Sequence, residues 1–474
     1  MKSRTRMAAI GVVVAAVTLI GGVALTRTLM VPAAVGTDTT AVPPPPVDPA
    51  IVAQHLALAL KYRTVSGGGV KESDRDAAME EMYLVFERLY PYFHEQAPQE
   101  AYGSAHIFVW RGTDSNLPPV LLMAHLDVAP VTPGTEKDWT HAPFAGDIAD
   151  GFVWGRGAID NKSSAIALLE AGERLAAANF QPKRTIMFAF GQDTELGGAK
   201  GNAAIAASLA RRGVHLAWVL DEGTPILKEP YRGVNKPVAF VSIAEKGDLS
   251  LELTAKSESQ LSSAVSKVSA QRFVSDIDEI QRLKLNALAP LVPFSERMKF
   301  ANLWLMGPLV EGTLRSDPHS APSLGTAMLP FKSEASGKGT PPRAVLDFRL
   351  HPRDTIASVT ERVKSAISDA NVEVKALPAK NAEPSKATDV NGTAYRYVAR
   401  TITDTFGVSV APELMSEATD SRHYLAIADA VLRFRPFPAE PEDLARVRGA
   451  NERVAITDLG AAAGFYLRLI QNSQ

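Results

Sequence analysis

The stretch LLMAHLDVAPV carries an apolar run that ends in His125 and Asp127, two residues apart. In an extended strand that spacing puts both side chains on one side. Ligands gather at the carboxyl ends of strands in an open α/β sheet. A histidine that holds a metal needs a partner to fix its ring and tautomer, and a carboxylate supplies one. Three further segments deliver acids in the same way. GRGAIDNK brings Asp160 just ahead of a helical stretch, GQDTELGG brings Asp193 and Glu195, and AWVLDEG brings Asp221 and Glu222. A lone Asp before a helix is usually an N-cap, and an HxD pair can simply close a strand. Four such segments in succession point beyond capping, to a divalent ion held by imidazole and oxygen donors. Three such donors plus water suit catalytic zinc. The chain has no cysteine, so thiolate sites, disulfides and a cysteine nucleophile are excluded.

The elements that must position these residues alternate in type. SAHIFVW, PPVLLMAHL, RTIMFAF and HLAWVL have the composition of buried strands, and SSAIALLEAGERLAAA has helical periodicity. That alternation implies an α/β domain with a largely parallel sheet. After AEKG the pattern changes. DLSLELTAK reads as a strand, SSAVSKVSAQ as a helix, and an irregular stretch follows. PSLGTAMLPF and RAVLDFRLHP then read as strands, TIASVTERVKSAI as a helix and NVEVKALP as a strand. Strand, helix, two strands, helix, strand is a ferredoxin-like α+β unit. The α/β pattern resumes near Asn391. The expected division is therefore a main domain of residues 51–245 and 379–474, with residues 246–378 inserted as a lid or dimerisation-type domain.

At 474 residues, 46% hydrophobic and 22% charged, the composition is that of a globular protein of two folded units. A formal net charge of −2 with no basic stripe gives no sign of a nucleic-acid partner. Residues 1–27 are different. Lys2, Arg4 and Arg6 precede an uncharged apolar run over 7–25, closed by Thr26 and Arg27. As a helix that run spans about 28 Å, close to the hydrocarbon thickness of a bilayer. The basic flank favours a cytoplasmic N-terminus with the remainder exported, periplasmic or extracellular. We expect an uncleaved membrane anchor; cleavage within VPAAVG, near Ala33 and Ala34, would instead release a secreted protein. A Pro-rich, extended linker covers residues 28–50.

The run from His125 to Lys162, ending in GRGAIDNK, together with ATDSRHY and PAEPEDLARVRGANER, resembles the zinc aminoacylase and carboxypeptidase metallopeptidase family. It is most similar to the branch of yeast carboxypeptidase S and the secreted N-acyl amino acid synthase/hydrolase. The resemblance implies a zinc-peptidase-like α/β domain with a mainly parallel sheet plus the inserted α+β domain. It also implies amide hydrolysis of N-acyl amino acids or small peptides. One zinc would be held by His125, Asp160 and Asp221, with Asp160 bridging to a second ion that Glu195 also binds. Asp127 would steady His125, while Asp193 would be structural and Glu222 would face away from the metals. Many relatives pair through the inserted domain, which makes a homodimer an expectation.

The same resemblance exposes departures. Where the family has DEE, this chain has Asp193-Thr194-Glu195, so the general base is replaced by Thr194, whose hydroxyl has no useful pKa near neutrality. Where the family has HGxNE, this chain has Arg448-Gly449-Ala450-Asn451-Glu452. An arginine cannot donate a lone pair to a metal. We therefore expect one zinc rather than two, with the Arg448 guanidinium between Asp160 and Glu195 supplying the missing positive charge. The family's intermediate-binding histidine has no counterpart in SESQLSS, and its substrate-contacting Asn is replaced in the KGTPP segment, residues 338–342. Glu417, just before ATDSRHY, is a new carboxylate that could act as a relocated base. His423 is expected to be structural. Three readings follow: a one-zinc hydrolase with a relocated base, its hydrolysis impaired by these replacements; a membrane-anchored, non-catalytic exported binding or scaffold protein (a pseudoenzyme); or a structural protein without metal.

Overall fold

A computed structural model describes residues 2–32, 47–317, 320–330, 340–377 and 381–473. The cleavage candidates Ala33 and Ala34 lie outside the described residues, as do Lys338 and Gly339 of the KGTPP segment.

The apolar runs form strands at the core of a ten-stranded mixed sheet. At its centre Ile186–Gly191, Val120–His125 and Trp218–Asp221 are adjacent and parallel. Every residue of the three is buried. Strands buried on both faces need continuous rather than alternating apolar sequence, which is what VLLMAH and IMFAFG supply. Their carboxyl ends lie side by side, so His125, the turn after Gly191 and Asp221 converge on one edge. Helix Lys162–Ala177 packs on this sheet and against the C-terminal helix Ile456–Asn472, and Leu168, Leu169, Phe188 and Phe465 share one apolar core. Gly157, in the loop before Asp160, has φ +91°, and a Cβ there would meet Val128 Cγ1 at 2.6 Å. That close approach accounts for the glycine of GRGAIDNK.

Gly247–Ala255, Arg343–Leu350, Val372–Ala376 and the short Ala327–Met328 form a separate antiparallel sheet, covered by helices Glu258–Ser269 and Ile356–Ile367. The strand order, with the first and third in the middle, is that of the ferredoxin-like unit. Leu249, Leu251, Leu346, Phe348, Val359 and Val363 belong to its own core. Two local expectations fail. PSLGTAMLPF opens in a 3-10 turn, Ala321–Leu324, and only Ala327 and Met328 pair in the small sheet; its last residue, Phe331, lies outside the described residues. The stretch expected to be irregular forms three helices, Glu279–Leu288, Phe294–Ala301 and Leu303–Ser316. These pack partly against the large sheet, with Leu285 and Leu288 beside Val238, Phe240 and Ala411. Within residues 246–378, then, this portion joins the main body's packing.

Candidate metal centre and adjoining cleft

His125 closes its strand with Nδ1 2.9 Å from the Asp127 carbonyl. A carbonyl can only accept, so Nδ1 carries the proton and Nε2 is the nitrogen left for a ligand. Nε2 lies 3.2 Å from Asp160 Oδ1 and 3.4 Å from Glu222 Oε2. Among the described residues, His125, Asp160 and Glu222 form the group able to hold a metal ion, with ligand atoms within 4.8 Å of one another. Asp127, fully buried, stands behind this group. Its Oδ1 is 3.3 Å from His125 Nδ1 and accepts from Thr194 N, while Oδ2 accepts from Glu195 N. One carboxylate therefore joins two strand ends.

The structure arranges the Asp221–Glu222 pair differently from the sequence expectation. Asp221 Oδ1 accepts from Glu222 N and Oδ2 from Ser421 N, each at 2.8 Å, so backbone amides occupy its oxygens. The strand ends at Asp221, so alternation no longer fixes the side of residue 222. Glu222 turns inward, held by Asn161 Nδ2 at 2.5 Å.

Arg448 Nε lies 3.2 Å from Asp160 Oδ2 and 3.0 Å from Glu195 Oε2. A single nitrogen faces both acids, rather than a two-pronged fork on one of them. Nη1 reaches 3.5 Å to Glu417, whose side chain is 56% exposed. The residue sits in a left-handed backbone conformation, φ +57°, in a pinned loop. Arg156 donates to its carbonyl, and Asn451 bonds to Thr140 N and the Asp138 carbonyl. Glu452, not singled out from sequence, holds the two halves of the site together. Its Oε1 accepts from Ile159 N and Asp160 N at 2.8 and 3.0 Å, and its Oε2 pairs with buried Arg156 at 2.7 Å. An acid closing the RGANE run was visible, but nothing local announced a partner some 300 residues earlier.

Thr194 Oγ1 donates to Asp420 Oδ2 at 2.5 Å and is committed there. Asp193 accepts from Lys200 N and Gly201 N, a loop-closing role. His423 Nε2 donates to the Gly197 carbonyl at 3.2 Å, and burial lowers its pKa; it too is structural. Beside the centre a cavity of about 350 Å³ is lined by Thr194, Glu195, Glu417 and Arg448 from one side and Asp248, Arg349 and Asn381 from the other. Arg349 and Asp248 come from the small sheet and pair across it. Sequence reasoning missed them because their placement depends on how the two sheets meet.

Acids outnumber bases here. Burial alone would pull the His125 pKa down, but Glu222, Asp127 and Asp160 push it well above the usual imidazole range. Burial would raise Asp160, yet His125, Arg448 and Arg435 hold its carboxyl below the usual range. Burial and then Asp160 raise Glu195 to about 7; burial, Glu222 and Asp420 raise Asp221 to about 8. Such a site attracts positive charge, and its imidazole and carboxylate donors fit a divalent ion such as zinc. For two raised carboxyls the protonated forms favour the metal-free fold, a contribution lost as pH climbs through about 7 to 8. A bound ion displaces those protons. Because the ion must also displace the raised proton of His125, zinc affinity, measured by competition with a chromogenic chelator, is expected to rise from about pH 6 and to keep rising through about 8.

The family profile described as Peptidase family M20/M25/M40 matches residues 121–472. The chain belongs to this family. A Xenopus tropicalis protein described as N-fatty-acyl-amino acid synthase/hydrolase PM20D1 is 32% identical over 442 residues, 89% of this chain and 85% of its own. A Dictyostelium discoideum protein described as probable carboxypeptidase S-like 2 is 32% identical over 448 residues, with 89% and 85% covered. Among solved structures, the M20 family metallo-carboxypeptidase Sso-CP2 from Sulfolobus solfataricus superposes with a TM-score of 0.64 at 19% identity, covering 89% of this chain and 98% of that one. The last comparison concerns fold alone, and it agrees with the large mostly parallel sheet of this M20 protein.

Proposed function

We propose that this chain is an exported M20-family metalloprotein that holds one zinc ion and an amide ligand, an N-acyl amino acid or small peptide, with hydrolysis strongly impaired. His125 and Asp160 would hold the ion, with an oxygen from Glu222 or Asp221. When bound, zinc would supply Lewis-acid polarisation of a carbonyl and an acidified water. Arg349, Arg422 and Arg448 line the cleft, but each already faces an acid (Asp248 for the first two, Asp160 and Glu195 for the third), so a ligand's free carboxylate would have to join those pairs. Residues 246–378 would act as the lid-type domain facing the main body, and the N-terminal helix would anchor the chain with its folded part outside the cytoplasm.

The observation that carries the reading is Arg448 Nε between Asp160 and Glu195, at the place where a second ion would need a histidine. A fixed cation there competes with a metal for the same two carboxylates. The loss of a base at Thr194 adds to it, since general-base catalysis contributes about 10²–10⁴-fold. The relatives named above supply the ligand class.

The test pairs binding with turnover. Zinc-loaded protein is titrated with N-acyl amino acids and dipeptides by calorimetry, and their hydrolysis is followed with Asp160→Ala as control. Zinc-dependent binding with slow hydrolysis is expected. Rapid hydrolysis that Asp160→Ala abolishes would refute impairment, and zinc-independent binding would remove the ion from the reading.

A further inference from the structure

The N-terminal helix Lys2–Leu29 meets the folded body near its C-terminal end. Ala24 and Thr28 are buried there against Asn302, whose Nδ2 is 3.0 Å from the Ala24 carbonyl and 3.1 Å from Thr28 Oγ1. Arg27 Nε donates to the Ala301 carbonyl at 3.2 Å. Trp304 extends the contact by donating its indole N–H to Asn302 Oδ1, also at 3.2 Å. The apolar span covers Ile10–Leu29, 20 residues. That is about 30 Å of helix, the thickness of a bilayer's hydrocarbon core. At the helical rise, Ala24 lies about 7 Å inside the end of that span, and Thr28 about 1–2 Å inside it. Whatever touches those two residues must itself reach the boundary of the membrane.

The helix that packs on the anchor is Phe294–Ala301, and Asn302 links it directly to helix Leu303–Ser316, whose exposed face is unusual in its own right. Over the first three turns of Leu303–Ser316 the exposed residues are Trp304, Leu305, Pro308, Leu309, Gly312 and Thr313. Trp304 is 53% exposed, Leu305 40% and Leu309 56%, and Phe294 in the preceding helix is 46% exposed. The charges Glu311 and Arg315 pair with each other towards the far end. A helix facing water carries charge on that side. A contiguous apolar patch marks contact with a protein or a membrane. Its continuity with the anchor favours lipid, as does an indole at the expected interface depth.

We propose that Phe294 and the Trp304–Leu305–Leu309 face bed into the outer boundary of the phospholipid bilayer that the N-terminal helix spans. This rests on the reading that the helix remains as an anchor. Two points of attachment, a spanning helix and an interfacial one, would fix the folded body against the membrane instead of leaving it to swing on a linker.

Because the chain has no cysteine, single cysteines can carry a nitroxide without background. Labels at Leu309→Cys and Thr313→Cys probe the patch, and Val17→Cys probes the anchor. Glu361→Cys, on the helix covering the small sheet, is the water reference. The full chain is placed in phosphatidylcholine–phosphatidylglycerol vesicles, and relaxation by oxygen is compared with relaxation by an aqueous nickel chelate. Oxygen is expected to dominate at 17, 309 and 313, and nickel at 361. If 17 reports lipid while 309 and 313 report water, the surface proposal is overturned and the anchor stands. If the chain's mass shows the N-terminal segment removed, the anchor reading fails and takes the surface proposal with it. Mutual broadening of labels at 309, relieved by dilution with unlabelled chain and without oxygen access, would make the patch a contact between copies and also overturn the proposal.

Discussion

Replacing Thr194 with Glu and Arg448 with His in one chain is expected to raise hydrolysis of N-acyl amino acids by about 10²–10⁴-fold. The Thr194 hydroxyl donates to Asp420 and offers no basic atom near neutral pH. A carboxylate there can take and return a proton, whereas Thr194 cannot. Arg448 holds the position between Asp160 and Glu195 as a permanent cation. A histidine there removes that cation and supplies a lone pair. Neither single change should suffice. Thr194→Glu adds negative charge while the guanidinium still occupies the second position, and Arg448→His restores a donor without a base. The gain of the double variant should therefore exceed the sum of the singles in free energy, the non-additivity expected of groups that act as a unit. Steady-state rates for all four proteins, measured on one substrate, check this. Equal rates in all four would contradict the proposal that Thr194 and Arg448 impair hydrolysis.

The largest stability effect is expected at Glu452. Its carboxylate is buried, bonded to two backbone amides of the Asp160 loop and paired with buried Arg156. Glu452→Ala leaves that guanidinium without its partner and leaves two amides unsatisfied. Breaking such a buried pair costs about 3–5 kcal/mol. Because Glu452 also positions Asp160, zinc affinity should fall about 10–100-fold in whatever folded fraction remains. Denaturant titration and chelator competition read the two effects separately. Glu417→Ala is the contrast. Its side chain is mostly exposed and touches Arg448 at 3.5 Å, so stability should change by no more than about 0.5 kcal/mol. A loss of hydrolysis in Glu417→Ala would mark it as the relocated base.

The central strands were legible from the sequence because a strand buried on both faces must be apolar throughout, and VLLMAH and IMFAFG are. The convergence of His125 and Glu195 followed from their places after adjacent parallel strands, whereas Asp160, in the turn before helix Lys162–Ala177, and Arg448 were placed only by the family resemblance. Glu222 was not legible. Which of two neighbouring acids turns inward depends on where the strand stops and which amides take up Asp221, and Ser421 lies 200 residues away. Arg349 and Asp248 were hidden for a similar reason, since they enter the cleft through the meeting of two sheets. The Leu303–Ser316 helix was missed because Pro308 interrupts it and its exposed face is apolar. Its residues lack the polar side that makes helical periodicity visible.

Zinc stoichiometry of the purified full-length chain tests the site most directly. The protein is loaded with excess zinc above about pH 8, where the raised carboxyls have released their protons. It is then dialysed and analysed by inductively coupled plasma mass spectrometry. One ion per chain is predicted, because Arg448 occupies the second position. Two ions per chain would contradict that assignment, since a second zinc and the guanidinium cannot share Asp160 and Glu195.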